Sequence, residues 1–377
     1  MYTTLSCPAC GNEYAPGADE PWRCDCGHPL DFTEQPIPDA PAPDFTDIDT
    51  RDGLWAFDEF LPVRRVASLG EGFTPLVDAN GWDAQFKLDC VFPSGSFKDR
   101  GATTTLSRAA ELGVETVLED SSGNAGAAIA QYAARAGIDA EIYVPADAKA
   151  SKLKAIECAG ATPVRVEGSR QDVTDACIEA VENGDGWYAS HAWNPAFFAG
   201  TMTFALELAA QRDWNVPDAV VTPLGHGTLF LGAYRGFRAL LDAGWTDSMP
   251  RLLGVQAEGV SPIADGIHAD SGGEDGADEW SDDDHAAERN DVADGIQITH
   301  PARRDGILDA IEATDGDAIA LDAGTTEAAL EKLHRTGFYV EPTSAVAVAG
   351  LTAYRDRGIL ADDADVVVPL TGSGLKS

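Results

Sequence analysis

The lysine whose setting is most unusual lies in the stretch FPSGSFKDRGA, residues 92–102. The chain has only seven lysines against 19 arginines, so a general need for solubility does not explain Lys98. The small residues around it indicate a helix start, where the helix dipole disfavours a positive charge. A lysine in a partly dry loop loses its proton more easily, and the neutral amine forms Schiff bases with aldehydes. The sequence therefore predicts a nucleophilic Lys98; the alternative is a solvated lysine in a helical turn capped by Ser94 or Ser96.

A second candidate site is the stretch EDSSGNAGAAIA, residues 119–130, where a β-rich run passes into an alanine-rich helix. Small residues let backbone N–H groups approach a ligand, and a helix start favours a carboxylate or a phosphate. The side-chain amide of Asn124 can also donate to a phenolate-like oxygen. Alternatively, Asn124 only caps the helix of an ordinary strand-to-helix turn. The residues that this pattern offers to a substrate carboxylate are Ser121, Ser122, Gly123, Asn124 and Ala125.

A third candidate site is the glycine-rich turn within VVTPLGHGTLFLGAYRGF, residues 220–237. A strand, a glycine loop and a helix in this order can hold a phosphate on backbone amides. The turn lacks the G-K-[ST] of a Walker loop and the complete G-x-G-x-x-G fingerprint, which leaves a nicotinamide dehydrogenase only a weak rival. The predicted phosphate ligands are Gly225, His226, Gly227 and Thr228.

The last β-rich run, within VVVPLTGSGLKS (366–377), ends in the hydroxyl-bearing turn 371–374. Doubly wound folds bind ligands at the carboxyl ends of their strands, so Thr371 is expected at the same site. A lysine among small residues, a carboxylate-binding turn and a phosphate cradle together indicate an aldehyde cofactor with a phosphate group. Pyridoxal phosphate fits that description.

Four cysteines near the N-terminus have the spacing of a metal site: Cys7, Cys10, Cys24 and Cys26. Two close pairs separated by 13 residues are typical of a tetrahedral structural zinc, which four protein ligands would saturate. The second pair is C-x-C rather than C-x-x-C, so His28 could replace one ligand. The alternative is a cluster of free thiols that has lost its metal. The other cysteines are expected to be buried thiols: Cys90, Cys158 and Cys177.

From about Trp55 onward, short β-rich runs alternate with helical segments. The runs are VETVLE, AEIYVP, TPVRVEG, DAVVTPL, RLLGVQAEG and DVVVPL. This alternation predicts an α/β, doubly wound architecture with mostly parallel strands. We expect a zinc ribbon at 1–32, a proline-rich linker at 33–50 and a catalytic body at 51–377. The acidic stretch 270–295 is expected to be a solvated surface insertion; it lacks the ligand spacing of an EF-hand, which argues against a calcium loop.

Composition excludes several classes of function. The chain has 377 residues and a formal charge of −37, which would repel nucleic acid and anionic membranes. No run of 18 apolar residues could span a membrane, and the first 30 residues do not resemble a signal peptide. We therefore expect a cytoplasmic protein. The acidic surface, in which aspartate outweighs glutamate, indicates a halophilic source.

Five motifs, in their order along the chain, resemble those of the threonine synthase family. That family belongs to the fold type II pyridoxal-phosphate enzymes, with tryptophan synthase β and cysteine synthase. The resemblance covers residues 69–376, and archaeal-type members also carry an N-terminal zinc ribbon. The motifs are GEGFTPL (70–76), PSGSFKDRG (93–101), SSGNAG (121–126), EPTSAVAVAGL (341–351) and LTGSGLK (370–376).

The resemblance implies two doubly wound α/β domains, the smaller one inserted at roughly 100–185, and a homodimer. It implies that Lys98 binds the cofactor covalently and moves protons, and that Asn124 donates to the cofactor's 3-hydroxyl oxygen. It also places residues 121–125 on the substrate carboxylate, residues 225–228 on the cofactor phosphate and Thr371 at the pyridine nitrogen. Phe97 would pack near the cofactor ring, or else be an ordinary core aromatic.

The implied reaction converts O-phospho-L-homoserine and water to L-threonine and phosphate. One segment departs from the family, because NPAFFAGTMT (194–203) has Phe197, Ala199 and Met202 where charged residues are expected. The phosphate loop also departs, with His226 and Thr228 where asparagines are common. Lost cations would weaken recognition of a substrate phosphate. The residues that could compensate are Arg100, Lys152, Lys154 and His226, of which we place Arg100 at the substrate.

Two alternatives follow from this departure. The first is a pyridoxal-phosphate enzyme that deaminates serine or threonine, or that replaces the phosphate of phosphoserine as a cysteate synthase does. The second is a catalytically inactive paralogue whose ribbon binds a protein partner. Formation of pyruvate or 2-oxobutyrate would identify a deaminase, whereas failure to bind the cofactor would favour the inactive paralogue.

Overall fold

The computed structural model describes residues 3–268 and 289–376. Most of the acidic stretch 270–295 therefore lies outside the described residues, and the prediction of a surface insertion is not tested. Among the residues described, no helix is long and apolar enough to cross a membrane.

The described helices alternate with strands through most of the chain. They are α1 (Lys98–Leu112), α2 (Asn124–Ala136), α3 (Ala150–Cys158), α4 (Arg170–Glu182), α5 (Pro195–Thr201), α6 (Thr203–Ala210), α7 (Thr228–Asp242), α8 (Pro262–His268), α9 (Arg304–Ala313), α10 (Ala323–Arg335) and α11 (Pro342–Asp356). Gly113 and Gly137 end α1 and α2 in the left-handed conformation, with φ of 73° and 71°, as the sequence predicts.

The strands form three sheets. They are β1 (Leu5–Ser6), β2 (Glu13–Tyr14), β3 (Asp31–Phe32), β4 (Leu76–Ala79), β5 (Ala84–Lys87), β6 (Thr116–Glu119), β7 (Asp139–Pro145), β8 (Thr162–Val166), β9 (Trp187–Tyr188), β10 (Ala219–Pro223), β11 (Arg251–Ala257), β12 (Asp317–Leu321) and β13 (Val366–Pro369). In the described part of the chain, the large sheet has the order β12-β11-β10-β13-β5-β4 and the small sheet the order β8-β7-β6-β9. All neighbours in these two sheets are parallel except β4 and β5, so the predicted parallel-rich α/β fold is confirmed.

Helices cover both faces of the large sheet. Val220 and Leu252 pack with residues of α6 and α7, whereas Val221 and Leu253 pack with residues of α11. Successive side chains of a strand point to opposite faces, so uninterrupted aliphatic runs are what two buried faces require. The large sheet is therefore doubly wound.

The small sheet is built in the same way. Val117 and Ile142 pack with residues of α1 and α2, while Leu118 and Tyr143 pack with residues of α4. Its strands span residues 116–188, which overlap the predicted inserted subdomain; the domain boundaries themselves stay a prediction.

The N-terminal ribbon lies against both parts of the catalytic body. The ring of Trp22 meets Tyr188 and Trp193 edge-on, with centroid separations of 5.4 and 4.8 Å. The guanidinium of Arg303 donates to Asp31 and to the carbonyl of Leu30, at 2.9 and 2.7 Å. The ribbon thus contacts the end of β9 on one side and the loop before α9 on the other.

Candidate active site

A cavity of about 460 Å³ opens between the two sheets, where loops leave the carboxyl ends of β6, β10 and β13. This is the edge at which doubly wound folds bind ligands. Most residues predicted for the cofactor and the substrate line it together: Phe97, Lys98, Ser121, Ser122, Gly123, Asn124, Gly225, His226, Gly227, Thr228 and Thr371.

Lys98 is the first residue of α1, and its amine faces the cavity. It lies deep below the protein surface, and this burial lowers its pKa to about 7 because the charged amine is poorly solvated. Its Nζ atom lies 4.9 Å from the centre of the Phe97 ring and 5.7 Å from that of Phe197. The amine is therefore largely neutral near pH 7, as a nucleophile toward an aldehyde must be.

The glycine turn before α7 has the shape of an anion cradle. Gly227 has φ of 75°, and a Cβ there would lie 2.5 Å from Cδ1 of Ile307, so only glycine fits. The amides at the start of α7 are oriented toward the cavity end of the helix. In the described part of the chain, Nδ1 of His226 is buried with no hydrogen-bond partner. This combination suits a phosphate group.

The predicted carboxylate-binding turn lies on the opposite wall. Residues 121–124 line the cavity, whereas Ala125 is buried behind it and is the one predicted member of this set that does not. The amide of Asn124 donates to both oxygens of Glu341, at 3.0 and 2.9 Å. Burial raises the pKa of Glu341. Glu341 belongs to the motif EPTSAVAVAGL, but sequence analysis did not assign it a place in the site.

Thr371 follows β13 and completes the cavity floor. Its hydroxyl lies 3.0 Å from that of Ser344, and Ser344 also accepts a hydrogen bond from the amide of Gly372 at 2.9 Å. The backbone carbonyl of Thr371 accepts from the amide of Phe97 at 2.9 Å, which connects this loop to the residue before Lys98. The loop therefore presents a neutral hydroxyl, as the sequence predicts.

The prediction that Arg100 contacts the substrate is wrong. Arg100 is fully buried and does not line the cavity; its guanidinium makes a bidentate pair with Asp89, both bonds 2.9 Å long, and a third bond to Glu207 at 2.8 Å. Lys98 and Arg100 are only two residues apart, but successive helical positions point in different directions. Two carboxylates already neutralise this arginine.

The segment NPAFFAGTMT is apolar in space as well as in sequence. The side chains of Phe197, Ala199 and Met202 are 0, 4 and 1 % exposed. Phe197 therefore occupies, beside the Lys98 amine, the place where the family pattern has a charged side chain.

Two lysines were named as possible replacements for the missing charges. Lys154 is exposed and does not line the cavity. The side chain of Lys152 lies outside the described part of the structure, so its prediction is not tested.

The structure brings to the cavity three charged or titratable residues that sequence analysis missed. Lys149 and Arg170 lie at its rim, and His191 lies in its wall with Nδ1 2.7 Å from a carboxylate oxygen of Glu119. Arg170 was obscured because it begins a helix with an ordinary serine cap, and His191 because it follows a two-residue strand. Only Glu119, quoted at the start of the motif EDSSGNAG, carried a local signal.

The four N-terminal cysteines meet as predicted. All four sulfur atoms lie within 4.8 Å of one another, with Cys7 to Cys26 at 3.5 Å and Cys10 to Cys24 at 3.4 Å. Tetrahedral Zn–S bonds of about 2.3 Å place the sulfurs about 3.8 Å apart, so the cluster fits a zinc ion. His28 is not needed to complete it. Of the other cysteines, Cys177 is buried, whereas Cys158 is exposed, contrary to the prediction.

Comparison with known proteins identifies the class. Residues 67–372 match the family model of the pyridoxal-phosphate-dependent enzymes, and the chain belongs to that family, in its fold type II branch. The residues present fit this cofactor: a desolvated amine at Lys98, an amide cradle with an unpartnered His226 nitrogen for the phosphate, and the Thr371 hydroxyl.

Relatives by sequence include threonine synthases. That of Methanocaldococcus jannaschii is 32 % identical over 98 % of this chain and 92 % of its own length. That of Methanosarcina acetivorans is 34 % identical over 86 % of this chain and 80 % of its own.

Among solved structures, maize serine racemase superposes with a TM-score of 0.67 at 21 % identity, covering 87 % of this chain and 93 % of its own, which supports the fold alone. A threonine deaminase from the organism abbreviated T.th. superposes with a TM-score of 0.65 at 25 % identity, covering 80 % of this chain and 92 % of its own.

Proposed function

We propose that this protein is a threonine synthase, which converts O-phospho-L-homoserine and water to L-threonine and phosphate. The observation that carries the proposal is a pair of cationic side chains, Lys149 and Arg170, at the rim of the cavity that contains Lys98. Both are exposed, and neither is ion-paired with a carboxylate in residues 3–268 or 289–376. A doubly charged phosphate at the far end of the substrate would find charge-assisted partners there.

In this proposal each wall of the cavity has one task. Pyridoxal phosphate, when bound, withdraws electrons from the substrate's α-carbon and so makes its proton removable. Residues 225–228 hold the cofactor phosphate, Asn124 and Thr371 orient the ring, and residues 121–124 bind the substrate carboxylate. Lys98 accepts the α-proton at Nζ and later returns one, because a pKa near 7 lets it do both.

The direct test is incubation with O-phospho-L-homoserine in molar salt, with phosphate release and amino-acid products measured together. We expect equimolar phosphate and threonine, and no turnover by Lys98→Ala. Phosphate without threonine, or no phosphate from a protein that has bound its cofactor, would contradict the proposal.

The substrate contacts are tested separately by Arg170→Ala and Lys149→Ala. Each removes a charge-assisted bond worth about 1.5–3 kcal/mol, so KM for the phosphorylated substrate should rise by about ten-fold to 100-fold. Lys154→Ala is the matched control, because it removes the same charge from an exposed site of the same domain that does not line the cavity. Equal KM values in all three variants would remove these two cations from the site.

A second candidate function is deamination of serine or threonine, or replacement of a β-substituent. The observation that favours it is the buried apolar surface of Phe197, Ala199 and Met202, where the family pattern has charges. The similarity to a threonine deaminase structure points the same way. Pyruvate from serine or 2-oxobutyrate from threonine, formed faster than phosphate from O-phosphohomoserine, would establish it.

A further inference from the structure

Glu119 and His191 form a buried pair in the cavity wall. Nδ1 of His191 lies 2.7 Å from Oε1 of Glu119, and the backbone amide of His191 donates to Oε2 at 3.3 Å. The side chain of Glu119 is 0 % exposed and that of His191 is 7 % exposed. Glu119 ends β6 and His191 follows β9, its parallel neighbour, so the sheet itself brings the residues together.

Only one nitrogen of this histidine is left for a ligand. Nδ1 is taken by Glu119, whereas Nε2 has no hydrogen-bond partner in the described part of the chain. His191 lines the cavity beside Lys98 and His226, and its ring meets that of His226 edge-on with centroids 5.3 Å apart. The open nitrogen is therefore the polar atom that His191 offers to the cavity.

The charges around the pair favour its uncharged form. Burial raises the pKa of Glu119 well above its usual value, and the neighbouring Asp120 raises it further. Burial lowers the pKa of His191 well below its usual value, and Lys98, His226 and Arg170, which face it, act in the same direction. Asp120 itself is held by other partners, the hydroxyls of Tyr188 at 2.9 Å and Thr174 at 2.7 Å.

We propose that Glu119 and His191 form a proton relay that opens into the cavity at Nε2 of His191 and acts in addition to Lys98. In the uncharged form, the Glu119 carboxyl donates its proton toward Nδ1 and Nε2 carries the other. When Nε2 gives its proton to a group in the cavity, the carboxyl proton moves to Nδ1. This leaves a carboxylate bonded to Nδ1–H and a free lone pair on Nε2. The reverse sequence takes up one proton.

The relay would serve the water step of the reaction, and this part rests on the proposed function. Water that adds to the β-carbon must lose one proton as its oxygen forms the new bond. Nε2 in its lone-pair form accepts that proton, while Nδ1 returns its own to Glu119. The net result is one proton moved from water to the pair, which is restored when Nε2 delivers it to the departing phosphate. Lys98 is then free to act only at the carbon atoms.

Three variants separate a relay from a structural fastening between β6 and β9. His191→Asn keeps an amide near the position of Nδ1 but has no atom at Nε2. Glu119→Gln keeps a hydrogen-bonding partner for Nδ1 but cannot take up a proton. Thr174→Val is the matched control, because it removes a hydrogen bond of similar length at the same end of β6 and leaves the pair intact.

The deciding measurement is ¹⁵N NMR of the histidine side chains in the full-length protein loaded with pyridoxal phosphate, between about pH 5 and pH 9. The resonances absent from His191→Asn assign His191. We expect wild type and Thr174→Val to show the same tautomer exchange, and Glu119→Gln to hold His191 in one tautomer at every pH. A His191 that keeps one tautomer in wild type, with the same shifts in Glu119→Gln, would overturn the relay.

The kinetic measurement uses O-phospho-L-homoserine and the pH dependence of kcat. His191→Asn should lower kcat by about 10²- to 10⁴-fold and Glu119→Gln should lower it in the same direction, each with an altered pH profile, while Thr174→Val keeps the wild-type profile. A kcat within two-fold of wild type in His191→Asn would overturn the role in turnover. Should wild type itself release no phosphate, the proposed function fails, while the NMR comparison still decides whether the pair is a relay.

Discussion

The chemistry of Lys98 depends on where its amine is placed rather than on which residues flank it. An exposed lysine is charged at neutral pH, whereas this amine lies in a cavity between two sheets, beside two aromatic rings. Burial makes the charged form unfavourable, and the resulting pKa of about 7 keeps much of the amine reactive.

We expect covalent capture of pyridoxal phosphate by the cofactor-free protein to follow this pKa. Because only the neutral amine reacts, the rate should rise as pH increases and reach half of its maximum near pH 7, far below the value for an ordinary lysine. Borohydride trapping followed by mass spectrometry measures the rate at each pH. Lys98→Ala is the control, and a rate that still rises steeply above about pH 9 would contradict the prediction.

At the scale of elements, a buried ion-pair network fixes the helix that carries Lys98. Arg100 in α1 bonds Asp89 and Glu207, and Glu207 in α6 also pairs with Lys87 at the end of β5. All four side chains are fully buried. Burial alone would raise the pKa of Glu207, but Arg100 and Lys87 lower it to about 2. The network therefore holds α1, α6 and β5 in one arrangement.

Glu207→Gln should lower the free energy of unfolding by about 3–5 kcal/mol, because it leaves buried positive charges without their partner. Glu331→Gln, which breaks an exposed pair with Arg335, should change it by less than about 1 kcal/mol. The stabilisation from a carboxyl with a depressed pKa is complete above about pH 4.3 and is lost as pH falls toward about 2. Urea unfolding across this range should show the acid loss in wild type and a smaller one in Glu207→Gln; equal losses would contradict the assignment.

For the whole molecule, the ribbon connects parts of the chain that are distant in sequence. Trp22 packs on residues beyond β9, Glu20 pairs with Arg108 at 2.7 Å, and Arg303 donates to Asp31 and Leu30. Its own core is small, so a metal is the element that would hold these contacts in register.

We propose that the ribbon binds one structural zinc ion and that its removal loosens the molecule. A chelator, or Cys24→Ser, should abolish metal content measured by elemental analysis, lower Tm by several degrees and change the fluorescence of Trp22. Cys158→Ser is the matched control, because this exposed cysteine lies outside the cluster. A protein that contains no zinc when purified, or that melts identically with and without it, would contradict the proposal.

Much of the site was predictable from the sequence because its chemistry is local. Glycine turns, helix starts and strand ends leave their mark on adjacent residues, and this is why residues 92–102, 121–124, 225–228 and Thr371 were all placed at one site. The six longer β-rich runs correspond to β6, β7, β8, β10, β11 and β13. The remaining catalytic-body strands, among them the two-residue β9, are too short or too mixed in composition to show a periodic pattern.

The tertiary structure alone decided which charged residues reach the cavity. Arg100 is next to the motif lysine in sequence, yet its side chain turns away to Asp89 and Glu207, which lie 11 and 107 residues distant along the chain. His191 and Glu119 meet across 72 residues because β6 and β9 are neighbours in the small sheet. A sequence determines its local turns through bonds between near neighbours, whereas the partners of a side chain depend on how distant strands and helices pack, and no local pattern records that.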